Sequence, residues 1–389
     1  MDIININETF EDNLFFIGGV VRDEILGCKS FDIDITYIGN AIEYCSRFGQ
    51  VIRENPDFGT VRVMVDEDYK SYFQLKDNAV VDFASTRSET YPKKGHLPCV
   101  NKIGCSLKED ILRRDFTINA IAKSVKTGEI VDYTNGLEDI KNKKIRVLHD
   151  NSFVDDPTRI IRGLKFSVRF GFELEKHTKE LQNRYLSDVN YDMSYKRLKK
   201  ELIETFNLNS QIAFEKFINE KIYKLITKDN IILPDINVED IVNKYIKAGF
   251  FESVEHIWII YVGILDEISK LPLTKYEQRI IDLVPDIEAG SDFEIYKAFK
   301  NIPIESVLLY GIRKNLKIAE YYLDNLSGIN IEITGDDLVK LGIKPSFEYK
   351  IIFDEILKEK IKHPFMTKDD EIIYAKKIVR CLTNSYPKQ

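Results

Sequence analysis

Residues 14–38 read LFFIGGVVRDEILGCKSFDIDITYI, and the rest of the chain is best read outward from them. An apolar run, Leu14–Ile17, ends in Gly18-Gly19; a helix of one or two turns follows, then a second β-rich run, Ile33–Tyr37. Adjacent glycines at a strand end let backbone N–H groups approach an anion closely, with a helix N-terminus behind them. The turn is neither the dinucleotide fingerprint, which needs G-x-G-x-x-G, nor a Walker loop, because no Gly-Lys-Ser/Thr follows. Asp32 and Asp34 stand two apart, a spacing that places both carboxylates on one face of a strand. Such neighbours repel unless cations lie between them. A phosphate-binding turn ahead of a carboxylate pair is what metal-assisted phosphoryl transfer needs. Asp82, in the apolar run VVDFA, is either a third carboxylate of this group or an ordinary strand-end Asp.

Further short β-rich runs lie at Thr60–Val65, Tyr72–Leu75, Val80–Ala84 and Ile130–Tyr133, with helical patterns at Asn40–Phe48 and Leu107–Ala122. From about residue 146 the periodicity is helical. Ile160, Ile161, Leu164 and Val168 make one apolar stripe, and Tyr195–Phe206, Ala213–Ile226, Ile257–Leu271 and Phe347–Lys360 continue the pattern. The expected fold class is α+β: a head with a small mixed β-sheet and helices, then an all-α remainder.

Gly18-Gly19-x-Val21-Arg22-Asp23, with Leu26-Gly27 and Asp32-x-Asp34, resembles motif A of the class II tRNA nucleotidyltransferases and bacterial poly(A) polymerases. Arg113-Arg114-Asp115-Phe116-Thr117-Ile118-Asn119-Ala120 resembles motif B, and Asp132, Gly136 and Asp139 resemble the hinge motif C. Asp155-Asp156-Pro157-Thr158-Arg159 is similar to motif D, with Asp where Glu is usual, and Ser194, Arg197 and Glu201 resemble motif E. The resemblance implies a catalytic head (1–145), a neck (146–225), a body (226–325) and a tail (326–389). It implies Mg²⁺ on Asp32 and Asp34, with Asp82 as a further candidate ligand, and a nucleotide met by Gly18, Gly19, Arg22, Arg114, Asp115, Asn119, Asp156, Arg159 and Arg162. The implied activity is CCA addition to the 3′ end of tRNA from CTP and ATP, with release of pyrophosphate. Partial enzymes adding only CC or only A share these motifs. A poly(A) polymerase more typically ends in a strongly basic extension, and this end is near-neutral.

Asp156 and Arg159 stand three apart at a helix start and share a face. Asp only accepts and Arg only donates. Cytosine and adenine each offer an amine beside a ring acceptor, so one such couple fits both; uracil and guanine present the reverse pattern. Two mispairings at about 1–3 kcal/mol each would give roughly 10- to 10⁴-fold selectivity. The segment Arg87–Ser106 is long for a passive loop, and the family places a flexible loop there.

The formal charge of −7, from 56 basic and 63 acidic residues, argues at first against nucleic acid. Its distribution argues otherwise. Between Arg159 and Lys200 there are 11 Lys and Arg against 5 Asp and Glu, and Arg159, Arg162, Lys165 and Arg169 recur every three or four residues. This reads as a basic helical face suited to RNA phosphates, so Lys165, Arg169 and Arg197 are the RNA-contact candidates. Residues 331–380, with Gly335, Leu338, Leu341-Gly342 and Lys344-Pro345, resemble the tail that approaches the tRNA elbow in CCA-adding enzymes; Ser346-Phe347 replaces the usual glycine.

Other readings fall away. The start, MDIININETFEDN, lacks a basic and an apolar segment, so no signal peptide is expected. The longest apolar run, Ile257–Leu265, is 9 residues against the roughly 20 that span a bilayer. Cys28, Cys45, Cys99, Cys105 and Cys381 read as reduced thiols of a cytoplasmic protein. His96, Cys99 and Cys105 lack a fourth zinc ligand. The His149-Asp150 dipeptide lacks the companion ligands of a metal phosphohydrolase. Neither a membrane nor an obligate protein partner is expected.

Overall fold

The computed structural model describes residues 12–385 except 30, 31, 74, 76–79, 266 and 344–347. The Lys344-Pro345-Ser346-Phe347 junction and the Cys381 side chain therefore lie outside the described residues. The chain divides into two compact units, Met1–Leu233 with Glu267–Pro272, and Pro234–Asp266 with Leu273–Gln389.

In the first unit the strands are β1 (Leu14–Ile17), β2 (Asp34–Tyr37), β3 (Gly49–Asn55), β4 (Thr60–Val65), β5 (Val80–Ser85), β6 (Arg87–Thr90), β7 (Cys99–Ile103), β8 (Ile121–Ser124) and β9 (Ile130–Asp132). Seven form one sheet in the order β3-β4-β5-β2-β1-β8-β9. Only β2 and β5 run parallel; the other pairs are antiparallel. β1 is apolar at every position because it lies inside the sheet, buried on both faces. Phe15 and Ile17 pack with Leu107, Ile111, Ala120 and Ala122 on one side.

The helices that matter for the site are α1 (Gly19–Ile25), α2 (Leu107–Leu112), α3 (Ser152–Asp155), α4 (Thr158–Phe170) and α5 (Tyr195–Phe206). α2 starts at a capping box, in which Ser106 accepts from Glu109 N–H and Glu109 accepts from Ser106 N–H. α4 buries Ile160, Ile161 and Leu164 and stops at Gly171, whose φ of 66° suits glycine. A two-residue parallel pair, β10 (Lys144–Ile145) with β11 (Glu173–Leu174), interrupts the otherwise helical neck.

The second unit is helical. Trp258, Tyr245, Tyr261 and Tyr310 are its largest buried side chains. Ile333, Leu338, Ile352, Ile356 and Ala375 form a separate cluster near its end. Glu371 is buried beside that cluster, accepting from Lys360 Nζ and from the backbone N–H groups of Glu332 and Ile333. Among the described residues no helix is long and apolar enough to cross a membrane.

Four local expectations are corrected. Leu107–Ala122 is not one helix. α2 ends at Leu112, Thr117–Asn119 makes a single 3₁₀ turn, and Ile121–Ala122 enter the sheet beside β1. Tyr72–Phe73 form a turn rather than a strand, because Phe73 packs edge-on against Phe48 and Phe83. Arg87–Ser106 is not a plain loop: β6 and β7 pair as an antiparallel hairpin. The helix from Ile257 ends at Val262, where Gly263 follows.

Candidate active site

The glycine turn follows from backbone geometry. Gly18 leaves β1 at φ 76°, where a side chain is strained, and donates its N–H to Ile121 O at 3.4 Å. A Cβ at Gly18 would also lie 3.4 Å from Arg114 Nη1, so the Arg114 guanidinium rests against the turn. Arg114 donates from Nη2 to Asp110 at 3.0 Å, and its buried Nε–H has no partner among the described residues.

β2 begins at Asp34, and the parallel register sets Asp34 beside Asp82 of β5. Asp32 sits in a bend just before the strand rather than on it. Crowding by surrounding protein pushes the Asp34 carboxyl up to about 6; Asp82 and Asp32 add repulsion, and Arg114 pulls the other way. A cation against a glycine turn, paired on one side with Asp110, suits an anion, and a crowded carboxylate beside it suits a cation. The donor set therefore fits Mg²⁺, which is typically held by one or two carboxylates plus substrate phosphates. Asp82 is otherwise engaged: its two oxygens accept from Arg62 Nε and Nη2 at 2.7 and 2.6 Å. Among the described residues no group of three or more His, Cys, Asp or Glu is arranged to hold a metal.

Arg22, expected at the triphosphate, also lies against the turn: a Cβ at Gly19 would meet its Nη2 at 3.5 Å. It is 3% exposed, donates to Asp23 and Asn119, and lies over the Phe166 and Phe170 rings at 5.1 and 4.5 Å. Asn119 in turn donates to Asp115. These side chains tie α1 to motif B and to α4, and they hold the Arg22 guanidinium beside Gly19.

A cleft of about 300 Å³ opens next to them, lined by Arg114, Asp115, Asp156, Arg159, Arg162 and Arg197 among others. Burial pushes the Asp115 carboxyl up, but Arg162, the Asn119 hydrogen bond and Arg159 outweigh it and hold the group at about 2. Arg162 donates to Asp115 and Glu201, which keep it above its ordinary range despite burial. Asp156 Oδ1 accepts from Thr158 N–H and O–H, and Oδ2 accepts from Arg197 at 2.5 Å. Arg159 donates to Ser152 Oγ, the Arg113 carbonyl and the Tyr91 hydroxyl Oη. Both members of the base-reading couple thus line one cleft, and protein groups already take up much of their hydrogen-bonding capacity.

The open basic face on α4 is corrected. Arg159 is buried, and Lys165, 12% exposed at its side chain, donates to Glu201 and Glu204 at 2.8 and 2.6 Å. Arg169 is exposed and meets Asp23 at 3.3 Å. Arg162 and Lys165 face the carboxylates Glu201 and Glu204 of α5, which packs alongside. Arg197 is an internal strut to Asp156 and to the hairpin carbonyl of His96.

The hairpin supplies residues that local reading missed. Tyr91, Leu97 and Pro98 line the cleft, and Lys94 pairs with Asp155 at 2.5 Å. Gly95 N–H donates to Asp155 O, and Ser194 N–H donates to Gly95 O. Glu89 joins Arg87 to Arg113 behind it. Only alternation within residues 87–90 and 99–103 hints at these strands, and their pairing is non-local.

Residues 14–146 match the family model of the poly A polymerase head domain. An A-adding tRNA nucleotidyltransferase of Aquifex aeolicus is 44% identical over 85% of this chain and 43% of its own length. One from Halalkalibacterium halodurans is 26% identical over 94% of this chain and 88% of its own. This chain thus spans less than half the length of the Aquifex relative. Among solved structures, the Thermotoga maritima CCA-adding enzyme complexed with tRNA_CCA superposes with a TM-score of 0.70, at 23% identity over 94% of this chain and 91% of that one. That likeness is one of fold.

Proposed function

Because the chain carries a poly A polymerase head domain and belongs to the class II tRNA nucleotidyltransferase and bacterial poly(A) polymerase family, we propose that it adds adenosine from ATP to the 3′ end of tRNA, releasing pyrophosphate. The observation that carries the chemistry is Arg114, whose Nη1 lies against Gly18 and whose charge acts on Asp34. Gly18, Gly19 and Arg114 receive the triphosphate, Asp115 meets the ribose, and Asp156 with Arg159 meets the base. Asp32 and Asp34 hold Mg²⁺. Bound there, the metal would lower the pKa of the attacking 3′-hydroxyl and offset charge on the leaving pyrophosphate. The tail approaches the tRNA elbow, and the enzyme works in the cytoplasm. The choice of adenosine is supported by the names of the Aquifex and Halalkalibacterium relatives.

A second reading, full CCA addition from CTP and ATP, is favoured by the Asp156/Arg159 couple, whose acceptor–donor pattern fits cytosine as well as adenine. The discriminating experiment uses tRNA transcripts ending before CC, after CC and after CCA, with CTP and ATP singly and together. Extension only of the CC-ended transcript by ATP supports the first reading. Extension of the shortest transcript through CCA supports the second. Extension of none refutes both.

A further inference from the structure

Arg159 is held by more than its neighbours in motif D. Its Nη1 donates to Ser152 Oγ at 2.7 Å, and Ser152 is fully buried. The same Nη1 lies 3.5 Å from His149 Nε2. Its Nη2 faces the Arg113 carbonyl at 3.0 Å and the Tyr91 hydroxyl Oη at 3.3 Å. A guanidinium carries five N–H groups. Four acceptors meet the four on Nη1 and Nη2, and Nε–H is the one without a protein partner among the described residues. That N–H is the donor left for a base, and its direction is set by whatever clamps the other two nitrogens.

We propose that His149, together with Ser152, is a positioning residue that orients Arg159 for base selection, an inference that rests on the cleft being the nucleotide site. His149 can accept only while Nε2 carries no proton, that is, as the neutral Nδ1–H tautomer. The charged groups facing it are Arg159, Lys94, Asp155 and Asp150, with Glu89, Glu109 and Arg113 lining the same hollow. Burial first and Arg159 second keep the imidazole below its ordinary range, against the pull of Asp155 and Asp150. Asp155 is itself paired with Lys94, and Asp150 with His177. The ring is therefore a neutral acceptor at neutral pH. Protonation removes the acceptor and sets a second cation against the guanidinium. Selectivity is present above the folded-state pKa of His149 and is lost as pH falls through it.

The test uses the full chain and a CC-ended tRNA transcript, comparing kcat/KM for ATP with that for GTP from about pH 8 to about pH 5.5. For the natural enzyme the ATP preference should fall about 10- to 100-fold towards the acid end, the range expected on losing one hydrogen bond to a charged group. His149→Gln keeps an acceptor that does not titrate; it should flatten that profile and hold kcat for ATP within about threefold of the natural value at neutral pH. His149→Leu should show the weak preference at every pH. A second readout does not depend on turnover. In the full chain, which has five histidines, the His149 imidazole signal is identified by its absence in His149→Gln and titrated by NMR. Arg159→Leu should raise its midpoint. An unchanged midpoint in Arg159→Leu, or a His149→Gln profile that follows the natural one, overturns the proposal. A chain that extends no transcript refutes the transferase reading instead, and the titration still decides whether His149 and Arg159 are coupled.

Discussion

Replacing Asp34 with Asn should stabilise the protein while abolishing its turnover. The Asp34 carboxyl lies at about 6 against an ordinary 3.8, a shift of about two units, or ~3 kcal/mol if felt in full. More than a third of the residue is open to water, and solvent screening reduces the effect to about 1–2 kcal/mol. The sign follows from proton linkage. Between about pH 4 and pH 6 the folded state binds more protons than the unfolded one, so stability falls as pH rises through that window. Above it the full cost of the charge is present. At pH 7.5, Asp34→Asn should therefore raise the melting temperature of the first unit by about 3–6 °C. Below about pH 4 the difference should vanish. Mg²⁺ should stabilise the natural protein and leave the variant unmoved, because the cation relieves the same repulsion. Differential scanning fluorimetry with and without Mg²⁺, over a pH series, reads all of this. A variant less stable than the natural protein at pH 7.5, or one that Mg²⁺ stabilises equally, would refute the assignment of Asp34 as a charge held in place for a metal.

Other perturbations follow from the same geometry. Glu201→Ala strips one carboxylate from both Arg162 and Lys165; since Asp115 and Glu204 remain, the loss should be about 2–3 kcal/mol, below that for a fully broken buried pair. A urea midpoint that does not move would count against an internal role for these cations. Gly18→Ala forces a side chain to φ 76° beside Arg114, costing about 1–2 kcal/mol in the strained turn; ATP affinity measured by calorimetry should fall with stability. Arg197→Ala frees Asp156 and the His96 carbonyl, so ATP-over-GTP preference should drop roughly tenfold while chemistry persists; complete loss of turnover would contradict a purely positioning role.

The strand-turn-helix at Leu14–Ile25 was legible because its cause is local: an apolar run, then backbone that only glycine adopts easily. β4 and β5 were legible for the same reason, as alternating runs with one buried face. β3 was not. Its residues are mostly polar and exposed, it carries a bulge near Val51–Arg53, and its strand character comes from pairing with β4. The hairpin β6–β7 was hidden similarly. Motif order named residues that the fold brings to one cleft but could not say which arginines face a ligand. Arg22 and Arg114 look equivalent in the sequence. Only the fold shows both against the glycine turn, Arg22 also stacked on Phe166 and Phe170 and Arg114 paired with Asp110.

The neck's charge carries the deeper lesson. Its basic excess looked like an RNA footprint because lysines and arginines recurred on one helix face. The partners that cancel them, Glu201, Glu204, Asp115 and Asp23, lie far away in sequence. Taking such charges out of water is costly, and hydrophobic replacements often do as well for stability. What the pairs provide is fixed geometry: each cation locks a carboxylate or a neighbouring helix in one place around the cleft. Exposed cations such as Lys176, Arg184 and Lys196 are the ones placed to release counterions from a phosphate backbone. The salt dependence of tRNA binding should accordingly be shallower than the 11 basic residues of this segment suggest, because the slope counts phosphate contacts and not arginines. The Lys165–Glu201 pair, largely buried on both sides, should keep its geometry at ionic strengths that strip the RNA away.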